Sequence, residues 1–412
     1  MKITDIRKFP IENRWCVHSY YSMNPYAPDG SGRLLCAGCD LETGLGEVFV
    51  LDADGKIIDR FGKQRVTAIF FHTGFWQAWG KDAKTVYYQA ADGDVLHPKL
   101  RAHELDTGYE YTVDADMEGA PIYGEPILYG MSGIYYAAGY GDGKYHPEQS
   151  PVPFADRDKH GLFSITPSTG KRELVLSVEE ALRLHPDYER LCYEDKKQME
   201  RTGDPLTLMI YCARYSRDGK NIMFHFGNHC TDRSRGEPHL LTLFTACCDE
   251  GGITDVRPAL DLNFERTGAH WSWMPDGENL IGFSNLADVG RVGDKAMAAI
   301  RRDGTDFRII TREAGYGGHP SKSPCADIYV NDSYVGKPDG TRAGKVSFYG
   351  ADGHELESHE FPRCNDEGFG IPRGRNRHFV CHHPVFNADG TRVLINTLPG
   401  KNAQLCELTV EY

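Results

Sequence analysis

The residue pattern predicts an all-β fold, a seven-bladed β-propeller made by the whole chain as one domain, residues 1–412. Three observations point there. A turn followed by a β-rich run recurs seven times, a second family of turns falls between the copies, and both chain ends are strand-like. The 45 glycines and 22 prolines are spread along the chain, which suits many tight turns and not a helical bundle.

The clear copies are Tyr215-Ser-Arg-Asp-Gly219 before Asn221-Ile-Met-Phe-His225, Trp273-Met-Pro-Asp-Gly277 before Asn279-Leu-Ile-Gly-Phe283, and Phe386-Asn-Ala-Asp-Gly390 before Arg392-Val-Leu-Ile-Asn396. Degenerate copies are Trp79-Gly-Lys-Asp-Ala83 and Lys322-Ser-Pro-Cys-Ala326. Weaker ones put Gly32 before Leu34-Leu35 and Gly133 before Ile134-Tyr-Tyr136. Turn positions 32, 83, 133, 219, 277, 326 and 390 are about 50–65 residues apart, with one longer interval from 133 to 219. Asp-Gly between β-formers marks a hairpin, because glycine accepts the positive φ of a tight turn. The second family is Asp54-Gly55, Thr107-Gly108, Thr169-Gly170, Asp303-Gly304 and Asp352-Gly353. Two hairpins per period make four strands per blade. Lys2 to Arg7 and Gln404 to Val410 are expected to share a blade and close the ring. Two unrelated β-sandwiches are the alternative architecture.

The long interval holds the one helical stretch. Ser177-Val-Glu-Glu180 has a capping-box pattern, and Ala181, Leu182 and Leu184 follow before Pro186. A helical insertion is expected over 177–204, packed on one face or rim as a decoration or a substrate lid.

Composition narrows the function. With 46 basic residues against 59 acidic ones the net charge is −13, so neither nucleic acid nor an anionic membrane surface is an expected partner. No apolar run approaches the ~18 residues of a membrane span, and Met1 to Trp15 lacks the apolar stretch of a signal peptide, so a cytoplasmic location is expected. The 12 cysteines sit mostly in strand-like runs, as Cys36, Cys212, Cys247 and Cys406 do. They read as buried thiols of a reducing compartment. Cys36-Ala-Gly-Cys39 has redox or zinc spacing but no second CxxC to accompany it.

Propellers carry chemistry around the central channel. His270, His319 and His383 stand at corresponding places in successive repeat units, with His382 and His378 close to the last. Imidazoles at equivalent positions converge on the channel, where three or four can hold a divalent ion. A histidine alone at one such place would be a packed core residue. Arg373, Arg375 and Arg377 crowd one loop beside His378, and Arg233 and Arg235 another beside His229. Their forks match carboxylates, although solvated surface ion pairs explain such clusters equally well. The run from Gly139 to His146 and on to Gly161 is rich in glycine, aromatics and charge, and suits a binding loop without a dinucleotide or P-loop fingerprint. Neither a G-x-S-x-G elbow nor an H-E-x-x-H helix is present.

These residues resemble a known family. Gly318-His319-Pro-Ser-Lys-Ser-Pro324, with Asn331-Asp-Ser333 after it, is similar to the histidine-bearing turn of oligogalacturonate lyases. Gly268-Ala-His270-Trp-Ser-Trp273 looks like the preceding blade's active-site histidine. The family's Gln-x-x-His-x-His-Pro pattern corresponds to His378-Phe-Val-Cys381-His382-His383-Pro384, with His378 for the glutamine and Cys381 for the first histidine. The likeness is clearest from about Gly268 to Val410 and only architectural before it. It implies a seven-bladed propeller that cleaves uronides by β-elimination with a divalent metal, manganese favoured and zinc or calcium as alternatives. A broader group of propeller uronate lyases implies a channel-face tyrosine and arginine, whose nearest counterparts are Tyr140 and Arg157.

On that resemblance the metal ligands are drawn from His319, His378, His382 and His383, with His382 standing in for the missing histidine. His270 is the base or acid, and Arg157 or the Arg373–Arg377 loop grips the substrate carboxylate. Arg235, Arg375 and Arg377 are candidate substrate contacts, as are Trp79 and Trp273, which either stack on sugar rings or pack between blades. The expected partner is a short acidic oligosaccharide, because a −13 surface repels a long polyanion. The protein is expected to be a monomer or small homo-oligomer. Two other readings remain open: a glycoside hydrolase, which needs paired carboxylates with Asp156, Asp158 or Asp232 as candidates, and a non-catalytic propeller that binds glycan or protein.

Overall fold

In the computed structural model, which describes residues 1–67, 69–116, 124–140, 143–228, 231–249, 252–264, 266–285, 295–314, 317–338, 342–362 and 380–412, the repeat turns adopt the backbone their residues demand. Gly219, Gly277 and Gly390 have φ of 72°, 68° and 78°, and Ala83 takes φ 56° at the same place in a degenerate copy. The strands between these turns form seven antiparallel sheets, six with four strands and one with three. The chain is a seven-bladed propeller.

The inner strands are Trp15–Val17, Ala78–Trp79, Ile127–Tyr129, Met209–Tyr215, Thr267–Trp273, Ser321–Lys322 and Val385–Phe386, short in five blades and seven residues long in the other two. The last sheet runs from Val385–Phe386 through Arg392–Thr397 and Gln404–Glu411 to the N-terminal strand Lys2–Phe9. That pairing, from Lys2 opposite Glu411 to Phe9 opposite Leu405, closes the ring. The second strands of the blades are buried on both faces, so they read as continuous apolar runs and not as alternation. Every residue of Asn221–Gly227 is buried. The cores lie between neighbouring blades: Trp15, Val17 and Leu35 of the first meet Phe71, Trp79 and Val86 of the second. Gly282 is needed for such packing, since a Cβ there would lie 2.4 Å from the Trp271 ring.

One repeat copy is different from expectation. Gly133 to Tyr136 belongs to a short helix and not to a strand: after α1 (Phe70–Thr73), α2 spans Ser132–Ala137. The second strand of that blade is Gly161–Thr166. The Asp116 carboxylate accepts hydrogen bonds from the N–H groups of Ser132 and Gly133 and so holds the first turn of α2. Local β-propensity at Ile134-Tyr-Tyr136 loses to this capping.

The insertion follows the sequence closely. The third strand of the same blade, Lys171–Ser177, runs into α3 (Val178–Arg183) through a capping box between Ser177 and Glu180. After it, α4 (Tyr188–Thr202) ends at Gly203, φ 79°. Leu176, Val178, Leu182 and Leu191 pack with Leu208, Phe224, Phe226 and Phe244 of the following blade, so the helices cover a blade flank. Arg157 locks this insertion, giving a bidentate pair to Asp195 of α4 at 2.6 and 3.0 Å.

Among the described residues no cysteine forms a disulfide. Cys36 and Cys39 are buried strand residues, and burial pushes the Cys39 thiol up to about 12. No helix is long and apolar enough to cross a membrane.

Two buried histidines flank the insertion. Burial, then the Arg157 charge, pushes His160 down to about 4, and burial pushes His185 down to about 4. The unfolded chain therefore takes up their protons first, and their stabilisation is complete above about 6.5 and lost as pH falls toward about 4. Asp116, pushed up to about 6 by burial, works in the opposite direction. At pH ~5 each histidine costs roughly 2 kcal/mol and Asp116 returns roughly 1 kcal/mol. Urea unfolding followed by circular dichroism should show a lower midpoint at pH ~5 than at pH ~7; equal midpoints would contradict this balance.

Candidate active site in the central channel

The innermost strands enter the channel through an irregularity that recurs from blade to blade. The register slips between Tyr211 and Arg214 and again between Ala269 and Ser272. Cys212 and His270 sit at these bulges with φ of 53° and 59°. Trp76 and His383, each two residues before its short inner strand, have φ of 54° and 48°. In the sixth blade Gly318, φ 121°, turns the chain just before His319. An extra residue in a strand bends it and re-aims a side chain, and here the bends aim equivalent positions at one point.

Three histidines singled out from the sequence meet there. The ring of His319 lies 4.3 Å from that of His270 and 4.2 Å from that of His383. A fourth imidazole, His72 of α1, is 4.7 Å from His383. Tyr20 and Tyr21, from the loop after the first inner strand, cover the group at 4.9 Å from His383 and 5.1 Å from His319.

Asp332 holds this wall in place. One carboxylate oxygen accepts the N–H and Nδ1–H of His319 at 2.7 and 2.9 Å. The other accepts the backbone N–H groups of His382 and His383 at 2.9 and 3.3 Å. Burial alone would raise its pKa, but the neighbouring His319 and these donors hold the carboxyl well below the usual range. The bond to Nδ1 leaves His319 Nε2 facing away from Asp332, and that nitrogen is buried with no hydrogen-bond partner. His270 Nδ1 and both ring nitrogens of His383 are in the same condition. Burial, then the nearby His319, lowers the pKa of both His270 and His383 well below that of free imidazole, so both are neutral at pH ~7. Buried imidazole nitrogens without partners are costly unless something binds them, and a divalent cation fits this donor set. Ligand atoms of His72, Cys381 and His383 lie within 4.8 Å of one another.

A small cleft opens beside the imidazoles, lined by Tyr20, His72, Trp76, Tyr140, Cys212 and Arg214 among others. Arg214 supplies its positive charge. The guanidinium lies 5.1 and 5.6 Å from the rings of Tyr20 and Tyr21, and it donates to the Tyr21 hydroxyl and the Trp271 carbonyl.

The structure redistributes the other sequence candidates. Tyr140 lines the cleft, 4.3 Å from Tyr135. Arg157 does not: its fork is occupied by Asp195, with the Leu206 carbonyl as a further acceptor. Arg235 is nine-tenths buried, bonded to Glu237 and the Pro205 carbonyl and stacked over Tyr145. Trp79 is a core residue, its indole N–H bonded to the Pro25 carbonyl. Trp273 lines a broader groove among the first turns of the blades and donates to the Arg214 carbonyl at 2.8 Å. His382 turns away from the cluster, its Nδ1 on the Asn396 carbonyl at 2.5 Å and its ring 5.8 Å from Phe361. The left-handed backbone at His383, φ 48°, and the bond from His382 to Asn396 send the two rings to different places. His378, Arg373, Arg375, Arg377 and His229 lie outside the described residues.

Sequence reasoning missed His72, Arg214, Tyr20 and Tyr21. Arg214 carried a signal: it precedes the Tyr215 turn just as Ser272 precedes the Trp273 turn behind His270. His72 comes from the helix between the first two blades and the two tyrosines from a loop within the first blade, neither of which is a repeat position.

No family model matches the chain, and no curated protein matches it. Solved structures do. An oligogalacturonate lyase in complex with manganese is 16% identical over 98% of this chain and 93% of that one, with a TM-score of 0.60. An oligogalacturonate lyase from Vibrio parahaemolyticus is 13% identical over 100% and 96%, TM-score 0.61. A prolyl endopeptidase structure is 10% identical, covering 97% of this chain but 50% of that one, TM-score 0.52. At such identities the likeness is one of fold: the whole chain corresponds to nearly the whole of the lyases but to half of the peptidase.

Replacing Asp332 with alanine strands four N–H donors and removes a carboxylate that joins the sixth and seventh blades at the site. Asp332→Ala should cost about 3–5 kcal/mol in urea unfolding, since each buried donor left without a partner costs about 1–3 kcal/mol. A loss below ~1 kcal/mol would mean that Asp332 is not the clamp its contacts describe.

Proposed function

We propose that this protein is a carbohydrate lyase that cleaves short uronic-acid oligosaccharides by β-elimination at the histidine cluster. One observation carries the reading most: neutral, buried imidazoles converge beside a cleft that also holds an arginine. That set matches the demands of elimination. The C5 proton of a uronate becomes removable only when charge on the adjacent carboxylate is neutralised, and a base must stand ready to take it.

Among the described residues Arg214 lines the cleft and takes the carboxylate-attracting role for which the sequence offered Arg157 or the Arg373–Arg377 loop. His270, neutral at pH ~7 with an unpartnered Nδ1, is the proton acceptor. Its low basicity makes the transfer depend on the carboxylate being neutralised first. Tyr140, on the cleft wall, is positioned to return a proton toward the departing C4 oxygen. Tyr20, Trp76 and the Tyr135–Tyr136 pair give the aromatic walls that a sugar ring prefers and that exclude water. A divalent cation held at His383 and its neighbours would add Lewis-acid neutralisation of the carboxylate. The similarity in fold to a lyase captured with manganese supports this reading.

A hydrolase would want two carboxylates across the cleft, about 5–10 Å apart. The described residues that line it include none. Asp156 is paired with Lys159, and Asp232 caps a turn through Ser234.

Elimination leaves a C4–C5 double bond conjugated to the carboxylate, which absorbs in the ultraviolet, and hydrolysis does not. Incubation with a panel of uronate oligosaccharides should raise that absorbance, and His270→Ala should lower kcat by about 100-fold or more. Arg157→Ala should leave kcat unchanged while lowering Tm, because its partner is Asp195. New reducing ends without the absorbance would replace lyase by hydrolase; no change with any substrate would favour a binding platform.

A further inference from the structure

We infer that His72, Cys381 and His383 form a mixed nitrogen–sulfur metal site, selective for a thiophilic divalent ion such as zinc over manganese. Its catalytic use rests on the lyase reading above; its existence does not.

The three side chains arrive from distant parts of the chain. His72 belongs to α1, between the first and second blades, and Cys381 and His383 lead into the inner strand of the seventh. Their ligand atoms nevertheless lie within 4.8 Å of one another. Cys381 and His383, two residues apart, bring their ligand atoms to one point, while His382 between them points away, its Nδ1 on the Asn396 carbonyl. His383 is fully buried, and both its ring nitrogens are without hydrogen-bond partners. Leaving it so costs free energy that a coordinate bond would remove.

The thiol is also in a setting that suits a ligand. Cys381 is 6% exposed, too enclosed for a solvent-facing redox residue, and the Tyr334 hydroxyl stands 3.8 Å from its sulfur. That hydroxyl can donate to a thiolate. The Asp332 carboxylate, bound to the N–H groups of His382 and His383, places a negative charge directly behind the site. Binding converts the thiol to thiolate with release of one proton to solvent, so two neutral imidazoles and one thiolate face the ion.

Zinc holds sulfur at about 2.3 Å and imidazole nitrogen at about 2.0–2.1 Å, which requires the donors to draw together by roughly 1 Å. Three protein ligands leave a fourth tetrahedral position, the arrangement of catalytic zinc. His319, 4.2 Å ring to ring from His383 and 6.0 Å from His72, borders the same space. Manganese prefers oxygen donors, and the donor set here contains a thiolate and no carboxylate.

Zinc outcompetes manganese at most nitrogen sites, so preference alone does not decide the matter. The decisive measurement uses cobalt as a spectroscopic stand-in on the full chain. Wild type loaded with Co²⁺ should show a thiolate-to-cobalt charge-transfer band in the near ultraviolet. C381S should lose the band and bind zinc about 100-fold more weakly, with little change in manganese affinity. H72A, at a partly exposed position, should weaken zinc binding by at least ~10-fold and shift the cobalt spectrum. Cobalt binding to wild type without the band would overturn the inference, and that result needs no variant to fold. So would unchanged zinc and manganese affinities in H72A. Product absorbance, read on the same samples, separates the two ideas: the band without elimination sinks the lyase reading alone, and elimination without the band sinks the sulfur ligand alone.

Discussion

Ring closure is the constraint on which everything else depends. Seven sheets wound about an axis leave two open ends, and the fold becomes a closed object only when Lys2–Phe9 pairs with Gln404–Glu411 as the outer strand of the last blade. That pairing abolishes the exposed edge of an open array and fixes how closely the inner strands approach the axis. The His18 N–H, just past the first inner strand, bonds to the Asn396 side chain of the seventh blade, so the seam also stands beside the site. A gap at the seam would widen the channel and separate the imidazoles that meet in it.

The channel then imposes its own chemistry. Side chains at its narrow end are removed from water, and the burial that lowers the pKa of His270 and His383 also keeps them neutral and able to accept a proton or a cation. Asp332 supplies the compensating charge, tying His319 of one blade to the backbone of His382 and His383 in the next. Two inner-strand bulges, at Cys212 and His270, and the left-handed residue His383 just before its strand serve the same end by bending the chain toward the site. Positive φ at such residues is a local cost borne by the surrounding blades.

The helical insertion illustrates how local and global requirements agree. Its capping box at Ser177 was legible in four residues, because the cap is satisfied by groups close in sequence. Its burial against Phe224, Phe226 and Phe244 was not, and neither was the role of Arg157 as a tie to Asp195. An arginine in a Gly- and aromatic-rich segment looks the same in sequence whether it grips a ligand or a helix. The same ambiguity affected Arg235 and Trp79, both of which the blades absorb.

The sequence by itself determined the propeller and its blade count, since turns with positive φ and strands of fixed length are local properties repeated along the chain. It also determined that His270, His319 and His383 would converge, because equivalent positions in successive blades face the same axis. Only the tertiary structure decided which neighbours join them. Cys381 and His383 reach one point while His382 turns to Phe361, a distinction of one residue set by the local backbone, φ 48° at His383. His72 enters from the helix between the first two blades, and Tyr20 and Tyr21 from a loop within the first, where no repeat fixes position and only closure of the ring brings distant segments within a few ångströms. Periodic strands announce their place in advance; the loops between them acquire one only when the ring is shut.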